Sequence, residues 1–388
     1  MRLLHTGDWH LGKRLHGLDR REEARAALDE ITEVGRAHEV DAVLVAGDLL
    51  NRRHVDAVAL GDCLAVLEGL ARLGPVLVAV GNHDDPDLWN ALRPYLLARG
   101  IHIAGRVQPA ADAVVSVETR SGLLHAALLP WPEPARLRMD LGTSAQMSKA
   151  TYADLCRAVL DSYAQELRDR RQREGGAAVL VGHLMVDGAV AGGGEREMTM
   201  GITYAVSPHA LPTDLDYVAL GHVHKPQAIR SGGAARYAGS PLALDFSEDN
   251  HAKTACVVEI SGQRTTFQEV PLSAARPLAR IRGPLDRLAE LAAEHPGAWL
   301  LCEVELEHPV LDLVRQVRAV VPDALRIEPR YPAALPGAEG DGGGDAPVRP
   351  LPELYEEWYR EQDRALSPRL LAAFEQALAD ADAAAGDA

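Results

Sequence analysis

The stretch Val76-Leu77-Val78-Ala79-Val80-Gly81-Asn82-His83-Asp84 puts an amide, an imidazole and a carboxylate directly after five apolar residues and a glycine. A short apolar run of this kind reads as a strand buried on both faces, and the glycine marks its end. The pattern recurs outward along the chain. Asp8-Trp9-His10 follows a strand at 2–6, Gly47-Asp48 one at 41–46, Gly182-His183 one at 177–181, and Gly221-His222-Val223-His224 one at 216–220. In an α/β sheet the residues just past the carboxyl ends of the strands gather along one edge. Side chains more than 200 positions apart are therefore expected to meet there.

Helical patterns at 20–39, 55–73 and 151–174 separate the strands, and a further strand is expected at 123–129. Strands without polar alternation, spaced by helices, imply an α/β fold whose sheet is covered on both faces. Three later strands, at 235–238, 254–260 and 265–270, have no helices between them. They are expected to form an antiparallel second sheet, giving a sandwich flanked by helices. The expected division is a large α/β domain over 1–271, which carries all five motifs, and a small α/β capping module over 272–331. Within that module the pattern is strand 278–282, helix 285–295, strand 298–305, helix 310–321 and strand 324–328. A Gly/Pro/acid-rich linker over 332–350, with Gly342-Gly343-Gly344 at its centre, precedes a two-helix tail over 351–388.

In that tail Leu351, Leu354, Tyr355, Trp358 and Tyr359 recur at helical spacing and make one apolar stripe. Ser367-Pro368 supplies an N-cap and first-turn proline for a second helix carrying Leu370, Leu371, Phe374 and Leu378. Two such helices cannot build an adequate core alone, so their apolar faces need another surface.

The five motifs offer carboxylate, imidazole and amide but no sulfur, a donor set suited to Mn, Fe or Zn with open water positions. There are enough donors for two ions. Asp48 is the natural bridge, since one carboxylate can serve two cations about 3.5–4 Å apart. Asp8, His10 and His224 complete one ion, and Asn82, His183 and His222 the other. A lone Gly-Asp or Gly-His after a strand is an ordinary turn. Gly-His-x-His on an extended segment is more specific, because alternation puts His222 and His224 on the same side. His83 is left outside the ligand set: Asn82 already supplies the contact, and an imidazole beside the ions suits the general acid that protonates the leaving oxygen. Asp85 before Pro86 reads as a helix N-cap. Arg52 and Arg53, just past Asp48, are candidates to hold flanking phosphates.

Composition excludes several classes. No apolar run approaches the roughly 20 residues of a membrane span, so a cytoplasmic location without membrane contact is expected. Cys63, Cys156, Cys256 and Cys302 are far apart and suggest neither a disulfide framework nor a thiolate zinc site. No G-x-x-x-x-G-K-[ST] phosphate loop occurs, so any ATP requirement belongs to another chain. The formal net charge of −16 argues at first against a polyanionic substrate. However, residues 331–388 hold 12 acidic and 4 basic residues, a net of −8, and bound cations would offset more of the rest.

These motifs are shared by calcineurin-like phosphoesterases, and the chain resembles more closely the bacterial SbcD family of nuclease subunits. The added likeness lies in Leu3-Leu4-His5-Thr6-Gly7-Asp8-Trp9-His10-Leu11-Gly12, in 198–208 and 217–226, and in Tyr237-Ala238-Gly239-Ser240-Pro241. The resemblance implies two Mn2+ ions per chain and a nuclease that degrades duplex DNA ends and cleaves hairpins in repair and recombination. It also implies an SbcC-type ATPase partner bound at the tail, through Leu354, Tyr355, Trp358, Tyr359, Leu371 and Phe374, and a homodimer within a heterotetramer. Tyr237 and Ser240 join Arg52 and Arg53 as candidate substrate contacts. The competing readings are a phosphodiesterase or phosphatase of the same fold acting on a small phosphoester, and a binding subunit without catalysis. The extra module and tail speak against the first, and the full ligand set against the second.

Overall fold

The computed structural model describes residues 1–134, 136–137, 151–190, 192, 204–248 and 252–331, together with 367, 368, 370, 371 and 374. By internal packing the chain divides into two units, Met1–Tyr331 and Pro332–Ala388. In chain order the first unit contains β1 (Arg2–Thr6), the hairpin β2 (Arg14–Leu15) and β3 (Leu18–Asp19), α1 (Arg21–Ala37), β4 (Ala42–Val45), α2 (Ala57–Ala71) and β5 (Val76–Ala79). There follow α3 (Pro86–Leu97), β6 (Ile101–Ala104), the single turn α4 (Ala110–Ala113), β7 (Val114–Thr119), β8 (Gly122–Leu129), α5 (Tyr152–Glu174), β9 (Ala177–His183) and β10 (Tyr217–Gly221). The remainder is β11 (Gln227–Ile229), β12 (Ala235–Tyr237), β13 (Thr254–Ser261), β14 (Arg264–Pro271), β15 (Leu278–Pro284), α6 (Leu288–Ala293), β16 (Trp299–Glu305), α7 (Leu313–Val320) and β17 (Ala324–Arg330).

Two six-stranded sheets, ordered β14-β13-β1-β4-β5-β6 and β11-β12-β10-β9-β8-β7, pack face to face. Strand alternation sorts the side chains between layers. Leu3, Leu44 and Leu77 point between the sheets, where they meet Leu124, Leu128, Val179 and Val181. Leu4, Val43, Val45, Val76 and Val78 point outward against Leu28, Ile31, Leu67 and Leu70 of α1 and α2. On the other side α5 covers its sheet with Leu155, Val159, Leu160, Tyr163 and Leu167. The apolar strands are thus covered on both faces as expected, but one cover is the second sheet. The late strands do not form a sheet of their own. β13 and β14 add to β1, antiparallel, while β12 lies beside β10 in the other sheet. Segregation fails because β13 carries an apolar run that the free edge of β1 can pair and bury.

The strands β15, β16 and β17 form a parallel sheet joined by α6 and α7, with a core of Ile281, Leu288, Leu300, Cys302, Val304 and Val317. A smaller apolar cluster of Leu15, Ala243, Phe246, Leu278 and Leu301 joins this sheet to the sandwich. Of the second unit, Ser367 begins a helical turn, its hydroxyl accepting from Leu370 N at 3.2 Å. The linker, the first tail helix and residues 198–203 lie outside the described residues.

Candidate metal centre and the face around it

The central parallel strands of both sheets end at one edge. Asp8 and His10 follow β1, Asp48 follows β4, Asn82 follows β5, His183 closes β9, and His222 and His224 follow β10. All seven are buried, Asn82 being the most exposed at 6%. Asp8, His10, Asp48 and His222 hold φ of 51°, 47°, 50° and 104°. Non-glycine residues there cost about 1–3 kcal/mol each, which the surrounding bonds must offset. Those bonds are present: Asp8 N donates to Gly47 O and His10 N to Asp48 O, each at 2.9 Å. The Asp8 carboxylate accepts from His222 N at 2.9 Å, and Asp48 Oδ1 from His83 N at 2.8 Å.

The glycines serve two different needs. Gly47 lies at φ +86°, a turn conformation. Gly81 and Gly221 are not in that region, and what they supply is space. A Cβ on Gly81 would run into the Asp48 carboxylate, and one on Gly221 into the Ala46 carbonyl of the opposing sheet.

The hydrogen-bond pattern decides which atoms face inward. His183 Nδ1 lies 2.7 Å from Ala46 O, a group that only accepts, so the ring proton is on Nδ1 and Nε2 presents a lone pair. That lone pair faces Asn82 Oδ1 at 2.9 Å and Asp48 Oδ2 at 3.5 Å. His224 Nδ1 donates to Glu248 Oε1 at 2.9 Å, so its Nε2 also presents a lone pair, 3.2 Å from His10 Nε2. His222 Nε2 is buried with no hydrogen-bond partner among the described residues, its Nδ1 lying 3.0 Å from Asn82 Oδ1. Acceptors packed against acceptors repel unless a cation stands among them. Asp8, His10 and His224 offer ligand atoms within 4.8 Å of one another, as do Asp8, Asp48 and His183. The residues therefore fit a pair of divalent cations. Burial, followed by neighbouring imidazoles, holds His10 and His222 well below the ordinary histidine range. Burial likewise brings His183 down to about 4, and neutral imidazole is the form that binds metal.

His83 is half-buried, its ring centroid 4.6 Å from that of His10, and its Nδ1 donates to Asn51 O at 2.8 Å. His10, Asp48 and His83 also present ligand atoms within 4.8 Å of one another. A cleft of about 570 Å³ opens beside His83, lined by Lys13, Arg14, Arg52 and His54. Arg52 thus faces the site, whereas Arg53 pairs with Glu133 at 3.1 Å. Tyr237 and Ser240, expected as substrate contacts, lie inside the protein instead, each 0% exposed. The Tyr237 hydroxyl donates to Leu184 O at 2.8 Å and accepts from Val186 N at 2.9 Å. Ser240 Oγ donates to Leu242 O at 2.9 Å and accepts from Lys253 Nζ at 2.8 Å. Both hydroxyls brace segments next to metal-site histidines. Leu371 and Phe374 are half-buried in the turn begun at Ser367, and Leu354, Tyr355, Trp358 and Tyr359 lie outside the described residues.

Three contributors carried no expectation of a role here. Asp84 accepts from Leu49 N, Leu50 N and Gly81 N and so ties the Asp48 loop to the Asn82 loop. Burial, then the charge of Asp48, push its carboxyl up to about 6. Asp85 is the N-cap of α3, as expected. Trp131 stacks on His222 with centroids 5.1 Å apart. Its signal was available, because Leu129-Pro130-Trp131 closes β8 just as the ligand motifs close their strands. Glu248 had none: it lies 24 residues beyond His224 in no recognisable motif. Burial raises its pKa, but the bond to His224 and the charge of Lys253 outweigh this and bring it down to about 2.

A sandwich whose strand ends supply such a two-cation ligand set defines a class of phosphoester hydrolases, and residues 1–226 match the family model described as calcineurin-like phosphoesterase. Residues 274–355 match a second, described as type 5 capsule protein repressor C-terminal domain. The chain belongs to the calcineurin-like phosphoesterases, in the family of SbcD, the nuclease component of SbcCD. It is 32% identical over 348 residues to the SbcD nuclease of Bacillus subtilis, covering 85% of this chain and 86% of that one. Its identity to the Rhodobacter capsulatus SbcD is 29% over 378 residues, covering 87% of this chain and 90% of that one. The Escherichia coli K12 SbcD is 29% identical over 341 residues, covering 84% of each chain. A solved dimetal phosphatase from Danio rerio aligns with a TM-score of 0.40 at 14% identity, over 70% of this chain and 96% of that one.

Proposed function

We propose that this chain is a metal-dependent DNA nuclease, an exonuclease on duplex ends and an endonuclease at hairpins and single strands, acting in repair and recombination with an SbcC-type ATPase. The observation that carries the reading is the meeting of seven acceptor side chains at one edge, beside a basic cleft that also contains His83. The relatives named as SbcCD nucleases, matched over most of their length, supply the substrate class and the partner. Asp8, His10, Asp48 and His224 would hold one cation and Asp48, Asn82, His183 and His222 the other, with Mn2+ as the proposed ion. Bound there, divalent cations supply Lewis-acid stabilisation of the phosphoryl oxygens and a nucleophilic water.

This chain's own residues supply the rest. Lys13, Arg14 and Arg52 attract the sugar–phosphate backbone, by charges that carry no base preference. Trp131 stacks on His222 and would hold that ring in place. His83 keeps Nδ1–H on Asn51 O, which fixes the ring; as the imidazolium it would also carry a proton on Nε2, which it would give to the leaving oxygen, ending as the neutral Nδ1–H imidazole. The organisation we propose is nuclease domain 1–271, capping module 272–331 that helps place DNA, linker 332–350, and tail 351–388 that binds the ATPase. Two such chains would form a homodimer within a heterotetramer, in the cytoplasm. Among the described residues no helix is long and apolar enough to cross a membrane.

The test is cleavage of hairpin and blunt duplex DNA with Mn2+, Mg2+ or Zn2+, with and without the ATPase, beside a chromogenic small diester. DNA cleavage that needs Mn2+ and rises with the ATPase and ATP is expected. Efficient turnover of the small diester with no cleavage of either DNA would instead make this a small-phosphoester enzyme.

A further inference from the structure

Among the described residues, His224 is the one imidazole of the centre whose outward nitrogen is hydrogen-bonded to a carboxylate. Glu248 Oε1 accepts its Nδ1–H at 2.9 Å. The other oxygen, Oε2, accepts from Lys253 Nζ at 2.7 Å and from Leu244 N at 3.2 Å. The Glu248 side chain is 0% exposed. Lys253 Nζ also donates to Ser240 Oγ at 2.8 Å, and Ser240 N donates to His224 O at 3.1 Å. Ring and backbone of His224 are therefore gripped by one buried network. A carboxylate in this position fixes the tautomer and ring plane of a ligating histidine and raises its basicity.

Glu248 closes a short helical turn, Phe246–Glu248, which Phe246 opens. Phe246 is 2% exposed and packs with Ala243, Leu15, Leu278 and Leu301, the last two being on β15 and β16. Arg20 ties the same segment down, donating to Ala243 O and, at 3.2 Å, to Arg276 O where the chain enters β15. Glu23 adds bonds from Arg276 N at 3.1 Å and Trp299 Nε1 at 2.9 Å. A continuous packed path thus runs from the β15–β17 sheet through Phe246 and Glu248 to His224.

We propose that Glu248 is the positioning residue for His224, and that the seat of the β15–β17 sheet against Phe246 sets how tightly the cation held by Asp8, His10 and His224 is bound. This rests on the two-cation reading above. Its physical content is that Glu248 and Phe246 are two residues apart on one short turn, so a shift of the apolar seat moves the carboxylate that aims the ring. Burial on both sides leaves little room to absorb such a shift elsewhere.

The experiment is calorimetric titration of the metal-free full chain with Mn2+. The unaltered chain should show two binding events, and fewer than two would remove the two-cation reading rather than this one. Glu248→Gln should weaken one event by roughly 10–100-fold and leave the other unchanged. Because it strands the Lys253 charge, the double variant Glu248→Gln/Lys253→Met is measured beside it, with circular dichroism to verify the fold. Phe246→Ala alters no cation ligand, and should weaken the same event by a smaller factor. Two events of unaltered affinity in the folded double variant would overturn the role of Glu248. Unaltered affinity in Phe246→Ala, or equal weakening of both events, would overturn the link to the sheet.

Discussion

His10 Nε2 and His224 Nε2 lie 3.2 Å apart although 214 residues separate them in the chain. With the His224 proton held on Nδ1 by Glu248, this is a close approach of two nitrogens competing for one proton or one cation. A chelated sample should therefore melt several degrees lower than one with saturating Mn2+, since a ligand at 100 times its Kd stabilises by about 2.7 kcal/mol. Differential scanning calorimetry checks this, and identical melting in chelator and in Mn2+ would count against a cation at this place.

Asp48→Asn should abolish tight binding of both cations and bring hydrolysis below detection. Asp48 Oδ2 lies 3.5 Å from both His10 Nε2 and His183 Nε2, so its charge is placed to serve both proposed cations. Elemental analysis showing two metals per chain with near-normal turnover would remove the bridging role.

His83→Gln should keep both metals and lose roughly 10²–10⁴-fold in the chemical step, the scale of a positioned acid. A substrate whose leaving group needs no proton should recover part of the rate. Equal losses on both substrates, or loss of metal, would show His83 acting in another way.

Gly81→Ala should disable the centre although it alters no ligand. The added methyl would meet the Asp48 carboxylate and backbone N, so either Asp48 or the β5 loop must move. Overpacking of this kind costs roughly 1–3 kcal/mol, a loss measurable by urea unfolding, and metal affinity should fall with it. A variant with unchanged stability and metal content would show the loop to be softer than its packing suggests.

Truncation at Pro350 should leave Mn2+-dependent cleavage of simple substrates intact and abolish both co-purification with the ATPase and ATP-stimulated duplex cutting. The described part of this region is a helical turn with Leu371 and Phe374 half-buried. A truncated chain that still bound the ATPase with full affinity, or that failed to fold, would place the tail in the core of the protein.

The sequence by itself determined the strands that carry the candidate ligands, and the side of the sheets on which those seven acceptor residues gather. These follow from local signals: an apolar run buries itself, a glycine ends it, and period-two alternation puts His222 and His224 on one side. It also carried the βαβαβ order of the small sheet. Which sheet each late strand joins was decided only in three dimensions, because β13 pairs with β1, whose partner residues are some 250 positions away. The same holds for Glu248, Trp131 and Asp84, whose roles depend on what lies across a loop from them. Tyr237 and Ser240 show the converse: their place near the ligands was legible, yet only tertiary packing turned both hydroxyls inward, where backbone groups and Lys253 occupy them. Proximity along a chain is written in residue order, whereas the direction a side chain faces is set by the neighbours that remote segments bring to it.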